Sequence, residues 1–156
     1  MGTTVAAPLE WVEAVSCLRL PPKVNDRETR AAGRCAYCRM HQSLQDATFH
    51  VEHVVPQSRG GHSQLDNLAW ACPSCNLHKA NRVEALDPDT GNQAPLFHPR
   101  SDHWEMHFRW DGYELVGQTP VGRATIAALR LNHLRRIQIR QVEELFALFP
   151  PHDLSA

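Results

Sequence analysis

Residues 49 to 79 read FHVEHVVPQSRGGHSQLDNLAWACPSCNLHK, and this stretch decides the fold. Thr48 to Val55 is dense in β-branched and aromatic residues and stops at Pro56, which predicts a strand. Gln57 to Asn67 is polar and carries Gly60-Gly61, so it reads as a loop, and Leu68 to Ala71 as a short returning strand. Cys72-Pro-Ser-Cys75 makes a tight knuckle, and Asn76 to Leu86 has helical character. The local order is strand, loop, strand, helix.

A second knuckle, Cys35-Ala-Tyr-Cys38, precedes this stretch. Two CxxC pairs can bring four thiolates onto one tetrahedral ion, which predicts a structural zinc site formed by Cys35, Cys38, Cys72 and Cys75. His41 and His78, each three residues after a knuckle, are the alternative ligands. The 33 residues between Cys38 and Cys72 exceed zinc-ribbon spacing, so something sizeable is looped out between the pairs. The fifth cysteine, Cys17, is expected to be a buried apolar residue.

A zinc closed by four thiolates has no open position and cannot hydrolyse anything itself. Chemistry has to come from the looped-out residues. His53 suits a general base, because an imidazole is largely neutral near pH 7. Glu52 is a hard oxygen donor beside it, and Asn76 offers a carbonyl oxygen as a second ligand, while Asn67 is placed to fix the imidazole. Neighbouring strand residues face opposite sides, so Glu52 and His53 share a cleft only if the strand breaks there. His50, on the Glu52 side of the strand, either approaches metal or phosphate or packs as an ordinary strand histidine.

In order, the segments CAYC, EHVVP, GG, DNLAW and CPSCNLHK resemble the HNH endonucleases, nucleases with a ββα-metal core, over about residues 33 to 82. The flanking regions resemble one bacterial subgroup of that family. The resemblance implies an α+β fold with a zinc-stapled ββα core and divalent-metal-dependent hydrolysis of DNA phosphodiester bonds, RNA being also compatible. It implies Glu52 and Asn76 as ligands of a catalytic Mg²⁺ or Mn²⁺, His53 as the base and Asn67 as its orienting residue. Glu52 stands where the family usually has Asp, and Ala80 where Gly is frequent, the latter expected to be harmless.

The rest of the chain frames this core. Residues 1 to 32 read as an N-terminal extension, with a helical or extended preamble over residues 8 to 20 bounded by Pro21-Pro22. Residues 33 to 86 form the core, and residues 87 to 156 a hairpin and helix packed on it. Residues 87 to 100 read as a loop, HWEMHFRW and YELVGQ as a hairpin turning at Asp111-Gly112, and Thr119-Pro120 as the start of one long helix that ends at Pro150-Pro151. The Trp and Phe residues of the hairpin are expected to be core rather than a DNA surface.

With 42% hydrophobic and 21% charged residues, the composition is that of a globular domain and excludes disorder. No basic leader opens the chain and no run nears the ~20 apolar residues of a membrane span, so a cytoplasmic setting without membrane contact is expected. Net charge is only −1. Yet Leu115 to Val142 holds five arginines and no acid, a local footprint for phosphate. Arg123 and Arg130 there, with Lys79 and Arg82 after the second knuckle, are the candidate nucleic-acid contacts, the alternative being solvated faces. Two rival readings remain: a zinc-stapled binding module without cleavage, and a nuclease subunit or homodimer that needs a targeting partner.

Overall fold

The computed structural model describes residues 31–151. The expectations for the preamble, for Pro21-Pro22 and for Cys17 fall outside the described residues.

Strands β1 (His50–His53) and β2 (Leu68–Ala71) pair antiparallel, with His50 opposite Ala71 and His53 opposite Leu68. Helix α1 (Pro73–Lys79) follows. Cys72 caps it through its sulfur, and Pro73 occupies the first turn, where a missing N–H costs nothing. The first knuckle joins the same layer through Ala36 N–H, which donates to Trp70 O at 2.8 Å. Strand, loop, strand and helix therefore follow in the expected order, and the fold is a mixed α and β one.

The helix ends at Lys79, earlier than the expected Leu86. Ala80 takes φ +49° and ψ −129°, a backbone region that favours glycine, so the chain turns out of the helix there. Alanine at this position is therefore not harmless. Ala80→Gly is expected to raise stability by about 1 kcal/mol, since an L side chain at positive φ costs roughly that much. Urea denaturation of both proteins checks this.

Residues 84 to 95 form a second small ladder, β3 (Glu84–Leu86) with β4 (Gln93–Pro95), where a helix end and a loop were expected. Asp87 organises its turn: Asp89 N–H and the Thr90 hydroxyl both donate to the Asp87 carboxylate. Helix α2 (Trp104–His107) replaces the start of the expected hairpin. Strands β5 (Phe108–Asp111) and β6 (Glu114–Gly117) then turn through Gly112 and Tyr113, one residue later than Asp111-Gly112. Only Gly112 has positive φ, whereas the anticipated type I′ turn needs it at both loop positions. Trp104 and Phe108 are buried and Trp110 stacks edge-on against Phe149 at 4.9 Å, so the hairpin aromatics are core.

The long C-terminal helix is two helices, α3 (Pro120–Leu129) and α4 (Leu134–Leu145). Arg130 leaves the helix in the left-handed region at φ +51°. Leu131 is fully buried, and the Asn132 side chain brackets Leu115, accepting its N–H at 2.8 Å and donating to its carbonyl at 2.7 Å. These tertiary bonds outweigh the helical periodicity that runs through the break. Buried arginines then tie α4 down: Arg140 donates to Tyr113 O and Leu131 O and lies over the Trp110 ring. Glu143, pushed up to about 7 by burial, accepts from His41 N–H and so anchors the end of α4 beside the first knuckle. Among the described residues no helix is long and apolar enough to cross a membrane.

Candidate active site and metal centre

The two knuckles converge. Cys35, Cys38, Cys72 and Cys75 are buried, and their sulfurs lie within 4.8 Å of one another, with Cys38 Sγ and Cys72 Sγ 3.8 Å apart. Four sulfurs at about 2.3 Å from a central tetrahedral ion stand about 3.8 Å apart, so the cluster is of the size that holds one zinc. The alternative ligands are occupied elsewhere, His41 Nδ1 with Ser43 and His78 Nδ1 with Ser74 O. Arg136 of α4 donates to Cys75 Sγ at 3.3 Å and to Ser74 Oγ at 2.9 Å. Burial works against its charge, but the thiolates of Cys75, Cys38 and Cys72 outweigh that and hold the guanidinium above its usual pKa. One helix turn thus couples the metal cluster to the C-terminal helices.

Both glycines of the pair have a physical reason. Gly60 sits at φ +82°, and a Cβ on Gly61 would lie 1.7 Å from Val55 O. The loop can therefore fold back onto the end of β1. Asn67 fastens it there: its Oδ1 accepts from Val55 N–H at 2.8 Å, and its Nδ2 donates to Val55 O and His62 O. Val54 N–H donates to Asn67 O at 2.9 Å, so the ladder continues past His53. Asn67 consequently braces the backbone beside His53 rather than touching the imidazole as expected.

His53 is half-buried on the open side of β1, and its Nε2 lies 2.8 Å from Ser63 Oγ. Gln57 Nε2 donates to the same hydroxyl at 3.1 Å. Ser63, which nothing in the sequence singled out, is the ring's partner; only the folded loop brings it there.

Because β1 stays regular through His53, Glu52 faces the opposite, interior side. Its residue exposure is 5% and that of Lys79 is 1%. Tyr37 O–H donates to one carboxylate oxygen at 2.6 Å, and Lys79 Nζ donates to the other and, at 3.2 Å, to His53 O. Burial, followed by the adjacent Glu52 charge, pushes the Tyr37 phenol well up, so it stays a donor. The expected open carboxylate is therefore a buried, neutralised ion pair. Lys79→Met would leave Glu52 buried without its counter-charge, and a destabilisation of about 3–5 kcal/mol is expected. The urea midpoint of the variant measures it.

The remaining candidates sort by their contacts. Asn76 lies three residues before Lys79 on α1, half-buried, and its side-chain amide makes no hydrogen bond among the described residues. Lys79 is buried and engaged in the Glu52 ion pair. Arg82, half-buried, donates to His78 O and, at 3.1 Å, to Ala128 O, joining α1 to α3. Arg123 is held by Asp87 in a two-bond pair of 2.8 Å each and also meets Asp89, and the Arg123 guanidinium holds the Asp87 carboxyl well below the usual range. His50 is exposed at the start of β1, with the parity of Glu52 rather than of His53. Arg130 alone of the four basic candidates is exposed with no partner among the described residues.

The site thus combines a zinc-sized cysteine cluster stapled to a ββα unit with a histidine at the open end of the first strand. Residues 35–82 match the HNH endonuclease family model, so the chain carries an HNH domain over that segment. The chain is also 26% identical over 106 residues to the Septu protein PtuB of Bacillus thuringiensis. That similarity covers 67% of this chain and 38% of the relative, so the chain matches well under half of that protein's length. No solved structure matches.

Proposed function

We propose that the protein is a divalent-metal-dependent endonuclease that hydrolyses DNA phosphodiester bonds. The observation that carries this is His53, half-buried at the open end of β1 inside the HNH segment, with Nε2 2.8 Å from Ser63 Oγ on a loop that Asn67 clamps. A neutral imidazole so held accepts a proton from the attacking water, and Ser63 and Asn67 act by positioning it.

Glu52 and Asn76 would hold a Mg²⁺ or Mn²⁺, their oxygens being the hard donors such ions take. When bound, the cation supplies neutralisation of the charge that builds on the phosphate oxygens. The donors fit such an ion in kind but not in placement, because Glu52 is buried in the Lys79 pair on the face of β1 opposite His53 and would have to leave that pair to reach a cation on the His53 side. Asn76 has a free carboxamide, and each Glu52 oxygen keeps lone-pair capacity beyond its bond to Lys79 or Tyr37. Lys79 already balances Glu52, so cation affinity is expected to be weak until substrate phosphate adds its oxygens. Zinc at the four cysteines is structural in this reading.

The same ion pair supports one rival, a binding module that keeps the scaffold without cutting. Plasmid cleavage at graded Mn²⁺ concentrations separates the two. The nuclease reading expects cutting that needs the cation and an Asn76→Ala protein that needs more of it. Binding without cutting would establish the rival.

A further inference from the structure

The acid-free run from Leu115 to Val142 holds five arginines that look equivalent in the sequence, and the fold divides them. Arg123 is paired with Asp87, Arg136 is committed to Cys75 and Ser74, and Arg140 to two carbonyls and an indole ring. Arg130 and Arg135 are left, both exposed and with no side-chain partner among the described residues. These two line one cavity of about 570 Å³, between the 44–47 turn, the start of α1 and the junction of α3 with α4.

The rest of that cavity is mixed: Met40, Leu44, Pro73 and Ile139 make it partly apolar, and His78 spends its Nδ1–H on Ser74 O. His78 and His133 line it as well, and Asp46 is its one acid. His133 Nδ1 accepts from Arg135 N–H at 3.3 Å, so the ring hydrogen sits on Nε2, a donor. The helix break places Arg130 here, at a φ of +51° that a non-glycine residue adopts at a cost. None of His53, Ser63, Asn67 or Glu52 lines the cavity, so it is a separate place from the proposed reaction centre.

We propose that this cleft is a second nucleic-acid contact, in which Arg130 and Arg135 grip backbone phosphates of the strand away from the bond that is cut. Guanidinium groups suit phosphate oxygens because their forked donors match them in geometry as well as charge. The inference rests on the nuclease reading for its choice of a polymeric phosphate over a small anion. It also gives a chain of net charge −1 a local pair of exposed guanidinium groups with which to hold a polyanion.

The test is binding of a duplex oligonucleotide in EDTA, where nothing is cut, across a range of salt. The wild-type protein is compared with Arg130→Ala/Arg135→Ala and with the charge-keeping Arg130→Lys/Arg135→Lys, each confirmed by zinc content and melting temperature. Loss of two phosphate contacts makes the slope of log K against log salt shallower by about 2 in the alanine variant. The lysine variant should keep the wild-type slope. An unchanged slope and affinity in the folded alanine variant, or no binding by the wild-type protein, overturns the proposal. Parallel plasmid cleavage keeps the two readings apart: cutting with an unchanged slope removes the cleft alone, and a shifted slope without cutting removes the nuclease alone.

Discussion

His53→Ala is expected to lower the single-turnover rate of phosphodiester cleavage by about 10²- to 10⁴-fold, the range that a positioned general base supplies. The fold should survive the change. The ring is half-buried, its one side-chain partner among the described residues is Ser63, and the ladder bonds around it belong to the backbone and to Asn67. Zinc content and melting temperature should therefore match the wild-type protein. Added imidazole should restore part of the rate, because the truncation leaves space where the ring stood. A variant that loses zinc or melts early would trace the loss to the fold and not to the proton transfer.

Cys38→Ser acts at the opposite level, on folding itself. The four sulfurs are buried within 4.8 Å of one another, and the cluster fastens the first knuckle, β2, α1 and, through Arg136, α4. Structural zinc contributes about 10–16 kcal/mol of apparent binding free energy in small domains, and most of that is folding free energy. The serine protein should carry little zinc and lose its cooperative thermal transition. A strong chelator should do the same to the wild-type protein. Unchanged zinc content and melting in the variant would dismiss the four-cysteine assignment.

Much of the core was legible because its signals are local. Pro56 marks the end of the extended stretch around β1, which itself is shorter than the expected Thr48 to Val55, Gly60-Gly61 marks the loop, and the paired CxxC motifs announce a metal site, each through chemistry confined to a few residues. β2 falls on the four residues expected of it, Leu68 to Ala71. What the sequence left unread is set by contacts between distant residues. The break at Arg130 depends on Asn132 capturing Leu115, and periodicity alone runs straight through it. Glu52 and Lys79 are 27 residues apart, so nothing in the chain's order says that they meet.

The same limit governed the basic residues. An uninterrupted run of arginines looks uniform, yet Arg123 ends on an Asp87 carboxylate, Arg136 on a sulfur and Arg140 beneath an indole. Strand alternation did carry one usable signal: it set Glu52 and His53 on opposite faces, and the unbroken ladder past His53 keeps them there.

The most direct measurement is a time course of supercoiled plasmid with Mn²⁺, run on zinc-replete wild-type and His53→Ala proteins, with EDTA added midway. The wild-type protein should convert the plasmid until EDTA stops it, while the variant leaves it supercoiled. Equal cutting by the variant, or cutting that continues after EDTA, would contradict a metal-dependent nuclease whose base is His53.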